Sequence, residues 1–286
     1  MKLHTIDTGF FKLDGGAMFG VVPKQIWQKL CPPDELNLCN WAMRCLLIET
    51  NNRLILIDTG IGQKQPEKFM AHYHLNGSQT LVASLAAKGF YRDDITDVIL
   101  THLHFDHCGG AIERVGDDLL PAFKNAQYWT NASHWEWATQ PNEREKASFL
   151  SENILPLQAS GQLRFVATNG EETVPFDGLG AVSLRMAFGH TQAMMLPQIR
   201  LGEITLVFMA DLIPSVAHIP LPYVMGYDMF PYTTLQEKKA FLNEAAAGNY
   251  LLFFEHDATV ECCTVHSTEK GVRALRTGKL TDFIDL

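Results

Sequence analysis

Between Thr101 and Gly110 the chain reads Thr-His-Leu-His-Phe-Asp-His-Cys-Gly-Gly, so His102, His104, Asp106 and His107 crowd one short stretch. The stretch follows directly on the apolar run Asp97 to Leu100, which has the composition of a short strand. So many ionisable groups at a strand end are costly to bury unless each finds a partner. His102 and His104, two apart on extended backbone, point the same way, while Asp106 and His107 sit where the chain turns toward Gly109-Gly110. Three imidazoles and a carboxylate are nitrogen and oxygen donors that zinc accepts, and that iron, manganese and cobalt accept too. A lone histidine is ordinarily a solvated or core residue; this spacing behind an apolar strand points to a metal.

The rest of the chain supplies the frame. The run from Trp41 to Asp58 is two branched apolar segments joined by Asn51-Asn52, the pattern of a tight hairpin. A helix is expected from Thr80 to a terminating Gly89. Ser133 with Glu136, and Thr234 with Glu237, have capping-box spacing and predict helix starts, the second helix ending near Gly248. Strands are expected at Ala181 to Phe188, on either side of Gly202, and from Tyr250 to Asp257, leading on to the run from Thr259 to Val265. No low-complexity linker divides the sequence, so a single domain spanning 1–286 is expected, of α/β class.

Composition narrows the function. With 47% hydrophobic residues among 286, the chain can bury a sizeable core. The balance of 23 basic to 32 acidic residues gives a net charge of −9 and no basic run, which argues against a nucleic-acid partner. No apolar run approaches the roughly 18 residues of a membrane span and the first residues do not read as a signal peptide. Six cysteines without a C-x-x-C pair read as free thiols, and the expected location is cytoplasmic.

The segment His102-x-His104-x-Asp106-His107 resembles the signature of the metallo-β-lactamase superfamily of metallohydrolases. Further candidates stand in the order such a resemblance requires: His190 in Phe188-Gly189-His190-Thr191, Asp211 at the end of the run from Ile204, and His256 in Glu255-His256-Asp257. The resemblance implies a four-layer αββα sandwich of the metallo-β-lactamase type with two divalent ions, zinc foremost, manganese, iron or cobalt being alternatives. It implies His102, His104 and His190 on one ion, Asp106, His107 and His256 on the other, Asp211 bridging, and Asp58 behind the ligands. Two cations roughly 3.5 to 4 Å apart need such anionic ligands between them. The catalytic roles it implies fall to Asp211 and to Asp106, the latter relaying a proton to the leaving alkoxide after attack by a metal-bridging hydroxide.

Within the superfamily, the phrases Gly15 to Gly20, Met209 to Pro214 with His218-Ile219-Pro220, and Phe254 to Asp257 look like the quorum-quenching N-acyl-homoserine lactonase branch. The implied substrate is a small neutral lactone or ester with an apolar tail. Aryl-ester or organophosphate hydrolysis, a glyoxalase II-like thioesterase and a non-hydrolytic metal-binding protein are the alternatives. The chain departs from several lactonases of that branch in having Pro214 three residues beyond Asp211, where they carry a tyrosine; Tyr223 and Tyr227 are candidates to replace it. Phe105, inside the metal loop, is a candidate substrate contact, and His218 either supports a ligand or is structural. Met18, Phe19 and Met225 read as core, Trp135 and Trp137 as packing residues, Cys108 as a small buried residue, and His72, His74, His134 and His266 as surface or structural. A homodimer is one option for assembly.

Overall fold

The computed structural model describes residues 1–168 and 170–284. The chain folds into two compact units, one of Met1–Gly9 with Met43–Glu171, the other of Phe10–Ala42 with Glu172–Asp285. Its first eight strands are β1 (Lys2–Asp14), β2 (Leu38–Glu49), β3 (Leu54–Ile57), β4 (Asp97–Ile99), β5 (Ile112–Val115), β6 (Asp118–Pro121), β7 (Gln127–Asn131) and β8 (Leu163–Val166). Six of them form a sheet in the order β1-β2-β3-β4-β7-β8, and β5 and β6 pair separately.

The hairpin expected at Asn51-Asn52 is present. β2 and β3 run antiparallel with Glu49 opposite Leu54, and the Thr50 N–H donates to the Arg53 carbonyl at 2.9 Å. From β3 onward the pairing is parallel, Ile55 opposite Asp97 and Asp97 opposite Gln127. A polar pin fixes that register: the Arg53 guanidinium bonds Asp97 from Nε at 2.8 Å and the Trp129 indole donates to Asp97 at 2.8 Å. A one-residue slip would unpair Asp97 and exchange the two buried faces of β3 and β4. Leu47, Leu56, Val98, Leu100 and Tyr128 form the core of this unit with Leu85 of the helix Leu81–Ala87. That helix begins as expected, Thr80 Oγ1 accepting from the Ala83 N–H, and stops at Gly89 with φ 85.

The second unit carries β9 (Thr173–Phe176), β10 (Leu179–Ala187), β11 (Met194–Leu201), β12 (Ile204–Phe208), β13 (Tyr250–Phe253), β14 (Cys262–Thr268) and β15 (Gly271–Gly278). They form one sheet in reverse chain order, β15 to β9. β12 and β13 are parallel, Leu206 opposite Leu251. Such a pair needs a crossover, which the helix Pro231–Ala247 provides. The expected strands around Gly202 and from Tyr250 are present, so the α/β class holds.

Both capping-box expectations require correction. The helix Ala132–Thr139 is capped by Asn131, whose side chain accepts from the His134 N–H at 2.9 Å, and Ser133 is already inside it. The later helix starts at Pro231, whose fixed φ suits a first turn, so Thr234 lies inside it while its end at Ala247 with Gly248 is as expected. Among the described residues no helix is long and apolar enough to cross a membrane.

Candidate metal centre

In both units candidate ligands sit where parallel strands end, the usual place for function in α/β sheets, His190 being the exception, in the connection between antiparallel β10 and β11. In the first unit Asp58 follows β3 and the histidine motif follows β4. Asp58 has φ 58, an uncommon conformation for a non-glycine residue, and accepts the Thr101 N–H at 2.8 Å and the Thr101 O–H at 2.6 Å. The neighbouring turn approaches the motif so closely that a Cβ on Gly109 would lie 2.1 Å from the Ile61 carbonyl oxygen, and one on Gly110 2.2 Å from that of Thr59. This is why the motif closes on two glycines.

The hydrogen bonds assign each imidazole its protonated nitrogen. Thr101 spends its proton on Asp58, so its oxygen accepts from His102 Nδ1 at 3.1 Å. His104 turns Nε2 toward the Glu145 carboxylate at 3.3 Å, and His107 turns Nδ1 toward Asp58 at 3.1 Å. The inner nitrogens, His102 Nε2 and His104 Nδ1, are then both lone-pair nitrogens, and they stand 3.1 Å apart. Two acceptors held this close repel each other unless a cation or proton lies between them. Asp106 Oδ2 is 3.7 Å from His107 Nε2, a second pair facing inward. All of these side chains are buried.

The second unit repeats the pattern. His190 lies between β10 and β11, Asp211 just beyond β12, and His256 just beyond β13. His190 Nδ1 is held by Asp228 at 2.8 Å and His256 Nδ1 donates to the Ala42 carbonyl at 2.8 Å. Both Nε2 atoms face the Asp211 carboxylate at 3.1 Å, one to each oxygen. Burial alone would lower the His190 pKa, but the charges of Asp211 and Asp228 outweigh it and push it up to about 10. Such a pocket demands positive charge, and imidazole with carboxylate donors, each anchored from behind, fits a divalent metal.

Other predicted residues fall as follows. Phe105 is buried, 4.7 Å between centroids from Tyr73 and 5.4 Å, edge-on, from Phe69. Burial, with a contribution from the Asp106 charge, pushes the Tyr73 phenol up to about 12. His218 donates from Nε2 to the Met18 carbonyl at 2.9 Å and accepts at Nδ1 from Ser215 at 2.7 Å, so both nitrogens are engaged. Tyr223 stands edge-on to Phe19, Tyr227 is exposed, and the Pro214 carbonyl accepts the His256 N–H at 3.2 Å. His134 is wholly buried, its Nε2 accepting the Leu103 N–H at 2.8 Å, which makes it a brace for the motif's backbone. Trp137 donates to Glu145 at 2.7 Å, and the thiol of buried Cys108 is pushed up to about 12 by burial. Sequence reasoning missed Glu145, Asp228 and Tyr73, for which no spacing rule signals a role.

Comparison with known proteins agrees with this chemistry. The chain is 27% identical to the N-acyl homoserine lactonase of Bacillus thuringiensis over 278 residues, 91% of this chain and 94% of that one. A crystal structure of a probable metal-dependent hydrolase from Staphylococcus aureus superposes with TM-score 0.83 at 28% identity, covering 96% of this chain and 95% of that one. AidC, described as a dizinc quorum-quenching lactonase, shares the fold with TM-score 0.78 at 21% identity, covering 97% and 95%. The family model for the metallo-beta-lactamase superfamily matches residues 44–256, a span that contains Asp58, the histidine motif, His190, Asp211 and His256, and the chain belongs to that superfamily as a metal-dependent hydrolase.

Proposed function

We propose that the protein opens lactone or ester bonds with two divalent ions, and that its substrates are N-acyl-homoserine lactones. On this reading the chain is one hydrolase domain, and the superfamily's ligand pattern would put His102, His104 and His190 on one ion, Asp106, His107 and His256 on the other, with Asp211 shared. The observation that carries this reading is the pairing of His190 and His256 with opposite oxygens of Asp211. A carboxylate presenting each oxygen to a different imidazole has the form of a bridge between two cations. The donor set suits zinc, and AidC, which shares the fold, is described as dizinc. Bound there, the ions would supply Lewis acidity toward a carbonyl oxygen and acidify water to a pKa near about 7.

The chain's own residues orient and move protons around that chemistry. Asp106, turned inward beside His107, would take up the proton released by the attacking water and relay it to the leaving alkoxide, which in a lactone stays tethered to the product. Asp58 and Glu145 keep the imidazoles turned with their lone pairs inward. Phe105, Phe69 and Tyr73 offer an apolar wall beside the motif, matched to a neutral substrate with an acyl tail. The lactone reading is supported by the relative from Bacillus thuringiensis along nearly its whole length.

The test is ring-opening proton release by metal-replete enzyme across butanoyl to dodecanoyl homoserine lactone. Each methylene buried contributes up to about 0.8 kcal/mol, so kcat/KM should climb by up to about fourfold per carbon until the wall is covered. No opening of any member, beside rapid cleavage of an aryl ester, a phosphotriester or a glutathione thioester, would refute the lactone assignment.

A further inference from the structure

The helix Pro231–Ala247 carries two neighbouring charged residues turned onto main chain, Lys238 buried and Glu237 half-buried. Lys238 is wholly buried, and its ammonium donates to the backbone carbonyls of Tyr223 at 2.8 Å, Pro220 at 2.9 Å and Leu221 at 3.5 Å. Glu237 accepts the Phe188 N–H at 2.7 Å and the Gly189 N–H at 3.0 Å. Exposed lysine and glutamate on a helix ordinarily solvate its outer face. Here desolvation pulls the Lys238 pKa down to about 7 and raises that of Glu237, so the fold bears a cost for placing them. Lysine is rarely fully buried, and this one spends its protons on main chain.

The groups they hold flank one histidine. Glu237 grips the two residues before His190. Lys238 grips the start of the loop that runs on to Asp228, whose carboxylate holds His190 Nδ1 at 2.8 Å. Beyond Asp228 the same loop returns to the histidine, Met229 N–H donating to the His190 carbonyl and Phe230 N–H to that of Gly189. The packing has no slack, because a Cβ on Gly189 would lie 2.3 Å from the Thr234 backbone nitrogen on the same helix. One turn of helix thus fixes the amides ahead of His190 with an anion, and the carbonyls of its supporting loop with a cation.

We infer that Glu237 and Lys238 are a pair of positioning residues that set the orientation and metal affinity of His190 by clamping its two flanking segments. This rests on His190 being a metal ligand. Neither residue reaches the reacting groups; both act through His190 and Asp228. A direct partner of a ligating histidine, as Asp228 is of His190, typically contributes roughly 10- to 100-fold to metal affinity, and Glu237 and Lys238, one step further out, contribute up to the lower end of that range.

The experiment measures zinc dissociation into excess chelator, and the visible spectrum of the cobalt-substituted protein, for the wild type, Glu237→Gln, Lys238→Met and His190→Ala. Glu237→Gln keeps the shape and one acceptor, and Lys238→Met keeps the stem without donors. Both should release zinc faster than the wild type, by up to roughly 10-fold, and shift the cobalt bands, with unchanged far-ultraviolet circular dichroism. Wild-type zinc release and cobalt bands in the folded variants, where His190→Ala loses metal, overturn the clamp. Undiminished metal binding by His190→Ala overturns the ligand assignment instead. Should Lys238→Met not fold, the isosteric Glu237→Gln decides by the same two readouts.

Discussion

Asp58 offers the sharpest test of how the site is held. Its carboxylate takes three hydrogen bonds, from the Thr101 N–H, the Thr101 O–H and His107 Nδ1, at 2.8, 2.6 and 3.1 Å. In Asp58→Asn the new carbonyl oxygen still accepts from the Thr101 N–H, but the amide NH2 now meets Thr101 Oγ1 and His107 Nδ1. His107 must then accept at Nδ1, which moves its proton to Nε2, the nitrogen a metal would need. Thr101, receiving a proton from the amide, can turn its own toward His102 Nδ1 and drive that ring the same way. Two misdirected imidazoles at 10-fold or more each imply a loss of roughly 100-fold or more in zinc affinity. Asp58→Ala should show the opposite balance in the metal-free protein. It leaves three buried donors without acceptors at about 1 to 3 kcal/mol each, yet lets the rings choose either tautomer. Zinc affinity by chelator competition and urea unfolding of the apoprotein separate the two effects. Asp58→Asn should be the more stable apoprotein and hold zinc no better than Asp58→Ala; wild-type zinc affinity in Asp58→Asn would refute the tautomer argument.

Elemental analysis should find close to two divalent ions per wild-type chain, and Asp211→Ala should lose metal and hydrolysis together, since both His190 and His256 face that carboxylate; retention of both would mean the bridge is misassigned. Burial holds the His218 pKa down at about 3 in the folded chain against 6.5 when unfolded. Below pH 6.5 the unfolded state therefore binds the extra proton, and this residue should remove about 1.4 kcal/mol of stability per pH unit as pH falls toward 3. Urea unfolding of His218→Gln should show a shallower acid dependence, and an identical slope would exclude this source. Gly189→Ala drives a methyl group into the Thr234 backbone and should cost about 1 to 3 kcal/mol and weaken zinc retention, as thermal unfolding and metal analysis would show; wild-type behaviour would mean that the approach is less tight.

Much of the fold was legible because local chemistry and tertiary structure agree. Thr80 and Gly89 bound a helix in the sequence and in the structure, and Asn51-Asn52 turns a hairpin whose flanking strands are branched and apolar. The capping-box readings failed where another residue satisfied the first turn sooner. Asn131, at the end of β7, reaches the His134 N–H before Ser133 can serve as a cap, and Pro231 opens its helix a turn ahead of Thr234. Both errors displace a helix start without changing the element, as expected when several polar residues compete for the same free amides.

The candidate ligands could be read for a different reason from the side chains that aim them. Histidine and aspartate at the ends of apolar strands are visible as a breach of hydrophobic pattern, whether bunched after β4 or single after β12 and β13. Which nitrogen an imidazole offers is decided by whatever occupies its other nitrogen, and those partners carry no pattern. For His102 the partner is a hydroxyl one residue away, for His104 the carboxylate of Glu145, and for His190 the carboxylate of Asp228. For His256 it is the main-chain carbonyl of Ala42, more than two hundred residues distant, where residue type is immaterial. His104, alone among these four, turns Nδ1 inward, because Glu145 claims Nε2. A metal site of this kind is therefore written in two layers: donors that sequence displays, and acceptors behind them that exist only once distant backbone has been brought into register.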